Sequence, residues 1–143
     1  MAETKYGKYI VTDYPADKSK FEGREDFMRP VTFIDGRFVE GAFYAESGWI
    51  YSASVGSPPS HTHDDHDEIL MFIGSDPYNP HELNGEVELW LGDEKHIIKK
   101  TAMVFIPKGL RHCPMYFRRV DKPILLLGAA PMTVYGRDRL EEK

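Results

Sequence analysis

Cysteine is almost missing from this chain of 143 residues, which carries a single one, Cys113. A lone thiol forms no internal disulfide, so cross-links do not hold the fold, and a reducing compartment is expected. Long hydrophobic runs are missing as well: no apolar stretch comes near the ~18 residues that a membrane-spanning helix needs. The opening stretch "MAETKYGKYIVTDYP" lacks the apolar centre of a secretory signal, so the expected location is cytoplasmic. Positive charge is in short supply, with 18 Lys and Arg against 23 Asp and Glu and a net charge of −5. Nucleic acid requires clustered cations, and the local basic group "KGLRHCPMYFRR" is too sparse to form a phosphate groove, so neither nucleic acid nor membrane is an expected partner. Helical periodicity is wanting too. The best helical candidates are short pieces near 17–27 and the tail "GRDRLEEK". Neither a Gly-rich phosphate loop nor a Ser-His-Asp order competes for a functional reading.

What is present is a succession of short apolar runs broken by turn residues. With 41% hydrophobic and 29% charged residues, the chain suits one globular domain with a single core. Residues 1–30 read as an N-terminal arm with one short strand, "YGKYIVTDY", that packs on the main body or across a partner. From Val31 the runs "VTFIDG", "FVEGAFYAESGWIYSASV", "EILMFIG", "EVELWLGDEKHIIKK", "TAMVFIPKG", "PMYFRRV" and "PILLLGAA" have the spacing of an all-β sandwich or barrel over 31–135, followed by a tail at 136–143. The clearest hairpin is 86–99, where Val87, Leu89 and Leu91 alternate with Glu86, Glu88 and Trp90 before "GDE" turns the chain. The stretch "GSDPYNPHELNG" at 74–85 is a loop by its turn chemistry, and its length suggests that it edges a functional opening.

Residues 56–74, "GSPPSHTHDDHDEILMFIG", gather three of the six histidines beside a run of carboxylates. Side chains on a strand alternate with period 2, so His61 and His63 project to one side and can share a ligand. Glu68 lies at an odd offset from them and rejoins them only if "DDHD" contains a bulge or tight turn, which the poor strand formers Asp64, Asp65 and Asp67 favour. Beyond it, Leu70 and Phe72 follow Glu68 inward while Ile69, Met71 and Ile73 face the other way, so this strand is expected to be covered on both sides. A charged group at the mouth of such a strand needs a partner, and a divalent cation held by two imidazoles and a carboxylate satisfies it. A metal-free polar cluster is the alternative. In "IPKGLRHCP" a turn at Pro107 and Gly109 delivers His112 as a fourth candidate.

The two segments resemble the two motifs of the cupin family. The first motif is a glycine, five residues, H-x-H, three or four residues, a glutamate, six residues and a glycine; here Gly56, His61-Thr-His63, Glu68 and Gly74 follow it with four, four and five residues between. The second is a glycine, five residues, P-x-G, two residues, a histidine, three residues and an asparagine; here Pro107-Lys-Gly109 and His112 follow it, with Ala102 near the glycine and Tyr116 at the asparagine. The resemblance spans roughly residues 40–130 and implies an all-β double-stranded β-helix, the jelly-roll barrel, with His61, His63, Glu68 and His112 as inward-facing metal ligands. His66 is a fifth candidate ligand, although its preferred reading is a rim residue or one that supports a ligand from behind, with Asp65 or Asp67 as orienting carboxylates. Cys113, next to His112, faces away from the metal as a small buried hydrophobe. His81 and His96 are solvent-side residues.

Three imidazoles and one carboxylate suit Fe or Mn first, with Ni, Co or Zn also compatible, and leave two positions open on a six-coordinate ion. The pocket is expected to be lined by Leu70, Phe72 and Phe105, with Arg111 and Lys108 near its mouth and Tyr44, Glu46 or Tyr51 contributing from the preceding strand. The resemblance implies a metal-dependent enzyme acting on a small organic acid or a phenolic or enolic compound, with dioxygenase-type oxidoreductase chemistry first and isomerase, epimerase or lyase chemistry second. A non-catalytic ligand-binding module is the third reading. A homodimer is the expected assembly.

Overall fold

Most of the short apolar runs bracketed by turn residues form strands. The computed structural model describes residues 4–54 and 58–134. It contains β1 (Met28–Ile34), β2 (Tyr44–Ile50), β3 (Glu68–Gly74), β4 (Glu82–Leu91), β5 (Glu94–Lys100), β6 (Ala102–Ile106), β7 (His112–Val120) and β8 (Ile124–Ala130). Five strands form one antiparallel sheet in the order β1-β2-β8-β3-β6, and three form another in the order β5-β4-β7. Among the described residues helix is confined to two short 3-10 turns, Gly7–Tyr9 and Ser19–Phe21, so the candidate piece near 17–27 contributes one turn of it. Gly56 and the tail "GRDRLEEK" lie outside the described residues. Among the described residues no helix is long and apolar enough to cross a membrane.

The core lies between the sheets. Ile50, Phe72 and Ile124 from the larger sheet meet Leu83, Val87, Leu89, Met115 and Phe117 from the smaller one. Val87 and Leu89 are fully buried, as their alternation in the hairpin requires, and β4 and β5 are joined through Gly92, whose φ of +62° supplies the left-handed step of a tight turn. Phe72, expected in the pocket, is instead a core residue packed on Phe117, with ring centroids 6.2 Å apart.

The outer face of the larger sheet departs from expectation. Registers Ile69↔Phe105, Met71↔Met103 and Trp49↔Leu125 set an apolar surface on its solvent side, with Met103 74% and Phe105 59% exposed. Phe105 therefore points away from any pocket, because it pairs with the outward Ile69 rather than with the inward Leu70. β3 is covered on one face only.

The arm folds back onto its own chain. Tyr14 is buried among Phe33, Tyr44 and Ala130, with Phe21 and Met132 packed around them. Its ring meets Phe33 and Phe21 edge-on at 5.2 and 5.4 Å. The strand expected within residues 6–14 does not form. These residues make the first 3-10 turn, and the Asp13 carbonyl accepts one bond from the Phe33 N–H at 3.3 Å. The 74–85 loop also differs: its last four residues belong to β4, and it leaves β3 at the end opposite Glu68, about 20 Å away at ~3.3 Å per residue, so it does not edge the histidine cluster.

Candidate metal centre

Backbone bonds lace the two histidine segments together. His61 N–H donates to the His112 carbonyl (3.0 Å) and His112 N–H to the His61 carbonyl (2.9 Å), while Gly109 N–H donates to the His63 carbonyl at 2.8 Å. Gly109 sits at φ +86°, the left-handed conformation that lets the turn after Pro107 bring its amide there. One step further on, the Asp67 carboxylate accepts the Lys108 N–H at 2.9 Å. Residues 62–67 are thereby held as an irregular link, which supplies the break in alternation that Glu68 needs in order to face the histidines.

Four imidazoles and one carboxylate result. Ring centroids are separated by 4.3 Å for His61 and His112, 4.8 Å for His61 and His63, 5.2 Å for His63 and His112, and 4.5 Å for His63 and His66. His63 Nε2 lies 3.4 Å from Glu68 Oε2. Donor atoms of His61, His63 and His112 all fall within 4.8 Å of one another, and those of His63, His66 and Glu68 do likewise, so His63 belongs to both groups.

The tautomers follow from the partners. A carbonyl only accepts, so His61 Nδ1–H donates to Pro59 O (2.7 Å) and His112 Nδ1–H to Leu110 O (2.9 Å), and each Nε2 keeps its lone pair. His112 is almost fully buried and its Nε2 has no hydrogen-bond partner among the described residues. Burial holds the His112 imidazole below its ordinary pKa, with the charge of a protonated His66 acting the same way against the raising effect of the Leu110 carbonyl. A neutral imidazole with a shielded, unoccupied lone pair is the form that binds a cation. The donor set thus fits a divalent transition metal, with His61, His63, Glu68 and His112 as the residues that would hold it.

Beside the cluster lies a cavity of about 300 Å³. His61 and Glu68 reach its wall, Leu70, Met115, Phe117 and Leu126 make it apolar, and Arg24, Tyr44 and Glu46 bring polar groups. Glu46 accepts from two phenols: Tyr44 at 2.6 Å on Oε1, and Tyr14 of the arm on Oε2. Leu70 and Tyr44 both lie in the cavity wall. Arg111 is exposed in the turn before β7, where its carbonyl accepts the Gly92 N–H (2.6 Å); it is not in the cavity wall. The cation in that wall is Arg24, which no period or motif singled out, because only packing of the arm carries it there.

The structure also places two further residues. His66 is 5% exposed and lies inside the cluster rather than on the rim, with Nδ1 bonded to Asp65 Oδ1 at 2.8 Å. Cys113 is buried as expected, and it lines the cavity. The register explains this: the step from Leu89 to Leu91 on β4 spans Met115 to His112 on β7, so β7 carries an extra residue, and Cys113 at φ +72° breaks the alternation. His81 and His96 are exposed, His96 bonding Glu94 at 3.1 Å.

Two antiparallel sheets enclosing a core, with paired histidine segments at one end, define a β-sandwich protein of the cupin fold. Solved structures agree. An oxalate oxidase in complex with glycolate matches with a TM-score of 0.53 and 14% identity over 78% of this chain and 54% of that one, so the chain spans about half of the oxidase. A sugar phosphate isomerase of the cupin superfamily from Silicibacter pomeroyi matches with a TM-score of 0.50 and 19% identity over 87% and 69%. KdgF from a Halomonas species is a weaker match, with a TM-score of 0.47 and 17% identity over 78% and 81%, and the fold assignment does not rest on it. No protein-family model matches the chain, and no curated protein sequence does. At these identities the likeness shows the fold alone.

Proposed function

We propose that this protein is a metal-dependent cupin enzyme acting on a small organic acid or a phenolic or enolic compound. The observation that carries the reading is the cavity of about 300 Å³ whose wall includes both His61 and Glu68, which sets candidate metal ligands against a space for a small molecule. A bound divalent cation would supply Lewis acidity and, if Fe or Mn, a one-electron couple suited to dioxygenase-type chemistry. The chain's own residues do the rest. Arg24 meets the anionic end of the substrate, the apolar wall excludes water, and the Glu46 carboxylate, held by Tyr14 and Tyr44, accepts or returns a proton.

That last group favours a second reading, isomerase or lyase chemistry, because a carboxylate in the cavity wall is placed to exchange a proton with a bound molecule. The metal-loaded protein is to be screened against small carboxylates, catechols and enols by oxygen uptake and by substrate deuteration in heavy water. Oxygen uptake supports the first reading; deuteration without oxygen uptake, lost in Glu46→Gln, supports the second; silence in both over the whole panel counts against an enzyme of either kind.

With a substrate in hand, Arg24→Ala raises KM about tenfold to a hundredfold with little change in kcat, the signature of a lost charge-assisted contact made equally in ground and transition states. A fall in kcat at constant KM would remove Arg24 from the substrate's anionic end.

A second copy of the chain is the occupant we propose for the outer face of the larger sheet. No charged residue stands among its outward positions on β2, β8, β3 and β6, and Met103, Phe105, Ile69 and Trp49 offer on the order of 400 Å² of apolar surface, about half of what one side of a standard interface buries. An apolar patch of this kind is complementary to itself across a two-fold axis. Light scattering is expected to give a dimer for the parent chain and a folded monomer for Phe105→Lys; a monomeric parent chain, or a dimeric variant, removes this face from the interface.

A further inference from the structure

Resting on the metal-centre reading above, we propose that His66 is itself a metal ligand, making the donor set His61, His63, His66, Glu68 and His112. Three observations converge on this residue. Its donor atom forms a group with those of His63 and Glu68 within 4.8 Å, and all three side chains are buried. Its ring is built like those of His61 and His112: Nδ1 is tied to an oxygen, here Asp65 Oδ1 at 2.8 Å, and that carboxylate faces solvent with 55% of its side chain exposed. The opposite ring atom, Nε2, is shielded from solvent. A carboxylate behind a histidine whose far nitrogen faces other donors is the arrangement that fixes the tautomer and basicity of metal ligands.

The sequence has the means to place it. Four residues separate His63 from Glu68, and the irregular link they form is pinned at its far end by Asp67 on the Lys108 amide. Within that link Asp65 points out and His66 points in. The consequence for chemistry is specific: a six-coordinate cation held by five protein donors keeps one exchangeable position, whereas four donors leave two. The substrate is then a ligand through a single oxygen, with its anionic end met by Arg24 instead of by the metal.

Affinity alone would not separate a ligand from a residue that orients one, since losing either weakens binding, so the test counts imidazoles. Chelator-stripped, 15N-labelled protein is titrated with Zn(II) and the histidine side-chain nitrogens are followed by long-range 1H–15N correlation, alongside His66→Gln. The expected result is one equivalent of Zn(II) that moves four imidazole Nε2 resonances together, with three moving in the variant and its affinity at least about tenfold weaker. A His66 resonance that stays in place while the other three shift, with equal affinity in the variant, overturns the assignment and leaves the metal centre standing. Two equivalents taken up in separate steps also overturn it, since the two donor groups would then hold separate ions. No uptake at all overturns both this inference and the metal centre on which it rests.

Discussion

His63→Gln loses at least a hundredfold in metal affinity, more than any other single substitution in the cluster. The residue belongs to both donor groups, so its removal depletes each at once, and losing a direct donor exceeds the roughly tenfold to hundredfold loss seen when only a supporting partner is removed. Glutamine is the informative replacement. It retains a donor for Glu68, whose Oε2 lies 3.4 Å from His63 Nε2, so the buried carboxylate is not stranded as it would be by alanine. Elemental analysis of untagged protein, with competition against a chromophoric chelator, measures the loss.

The same experiment separates a catalytic from a structural ion. The core of Ile50, Phe72, Leu83, Val87, Leu89, Met115, Phe117 and Ile124 is assembled without any of the cluster's side chains. Both the variant and the chelator-stripped parent chain therefore keep a cooperative unfolding transition and a strand-rich circular dichroism spectrum. The parent chain gains thermal stability on metal addition only as mass action dictates, about 4 kcal/mol at a thousandfold excess over Kd. Unfolding on chelation would make the ion a structural one, and retained affinity in His63→Gln would remove the cluster as its site.

Gly74→Ala costs about 3 kcal/mol or more, a large part of the stability of a domain this size. A Cβ at this position would lie 2.1 Å from the Glu82 carbonyl oxygen and 3.2 Å from Leu83 Cα, both backbone atoms that no rotamer change can move. The strand is pinned there, since Gly74 pairs with Ile124 of β8 and its N–H donates to Thr101 Oγ1 at 3.0 Å. Gly41 is the internal comparison: nothing lies within 4 Å of its Cβ position, and only its φ of +81° resists a side chain, so Gly41→Ala costs about 1–2 kcal/mol. Urea denaturation of the two variants beside the parent chain measures both. Equal midpoints for Gly74→Ala and the parent would mean that β3 and the start of β4 do not approach as closely as this.

The glycine closing the first histidine segment was visible in the sequence as part of a motif, yet its reason was not. Its spacing suggested a turn; the structure shows a close approach of two backbones. The cluster behaves likewise. The residue types and intervals of His61, His63, Glu68 and His112 marked them as potential donors, and the need for a break between His63 and Glu68 followed from strand parity. His66 stood out in the sequence as a fifth candidate, but its side could not be read, because residues 62–67 follow no period.

What the sequence by itself determined is local and periodic: an all-β chain, the hairpin with Val87 and Leu89 inside, the inward Leu70, and a dense set of imidazoles that no disulfide or phosphate chemistry could claim. Alternation with period 2 assigns faces wherever a strand is regular, and there the assignments agree with the structure. What only the tertiary structure decided is which side of a sheet meets the other sheet and which meets solvent. Phe105 went outward because its register partner is Ile69, Phe72 went to the core, and Cys113 turned into the cavity because β7 carries an extra residue at a left-handed φ. Arg24 replaced Arg111 as the cavity's cation because the arm, without a period of its own, is placed by Tyr14 and Phe21 packing against Phe33. Such placements depend on contacts between distant segments, and a local period carries no information about them.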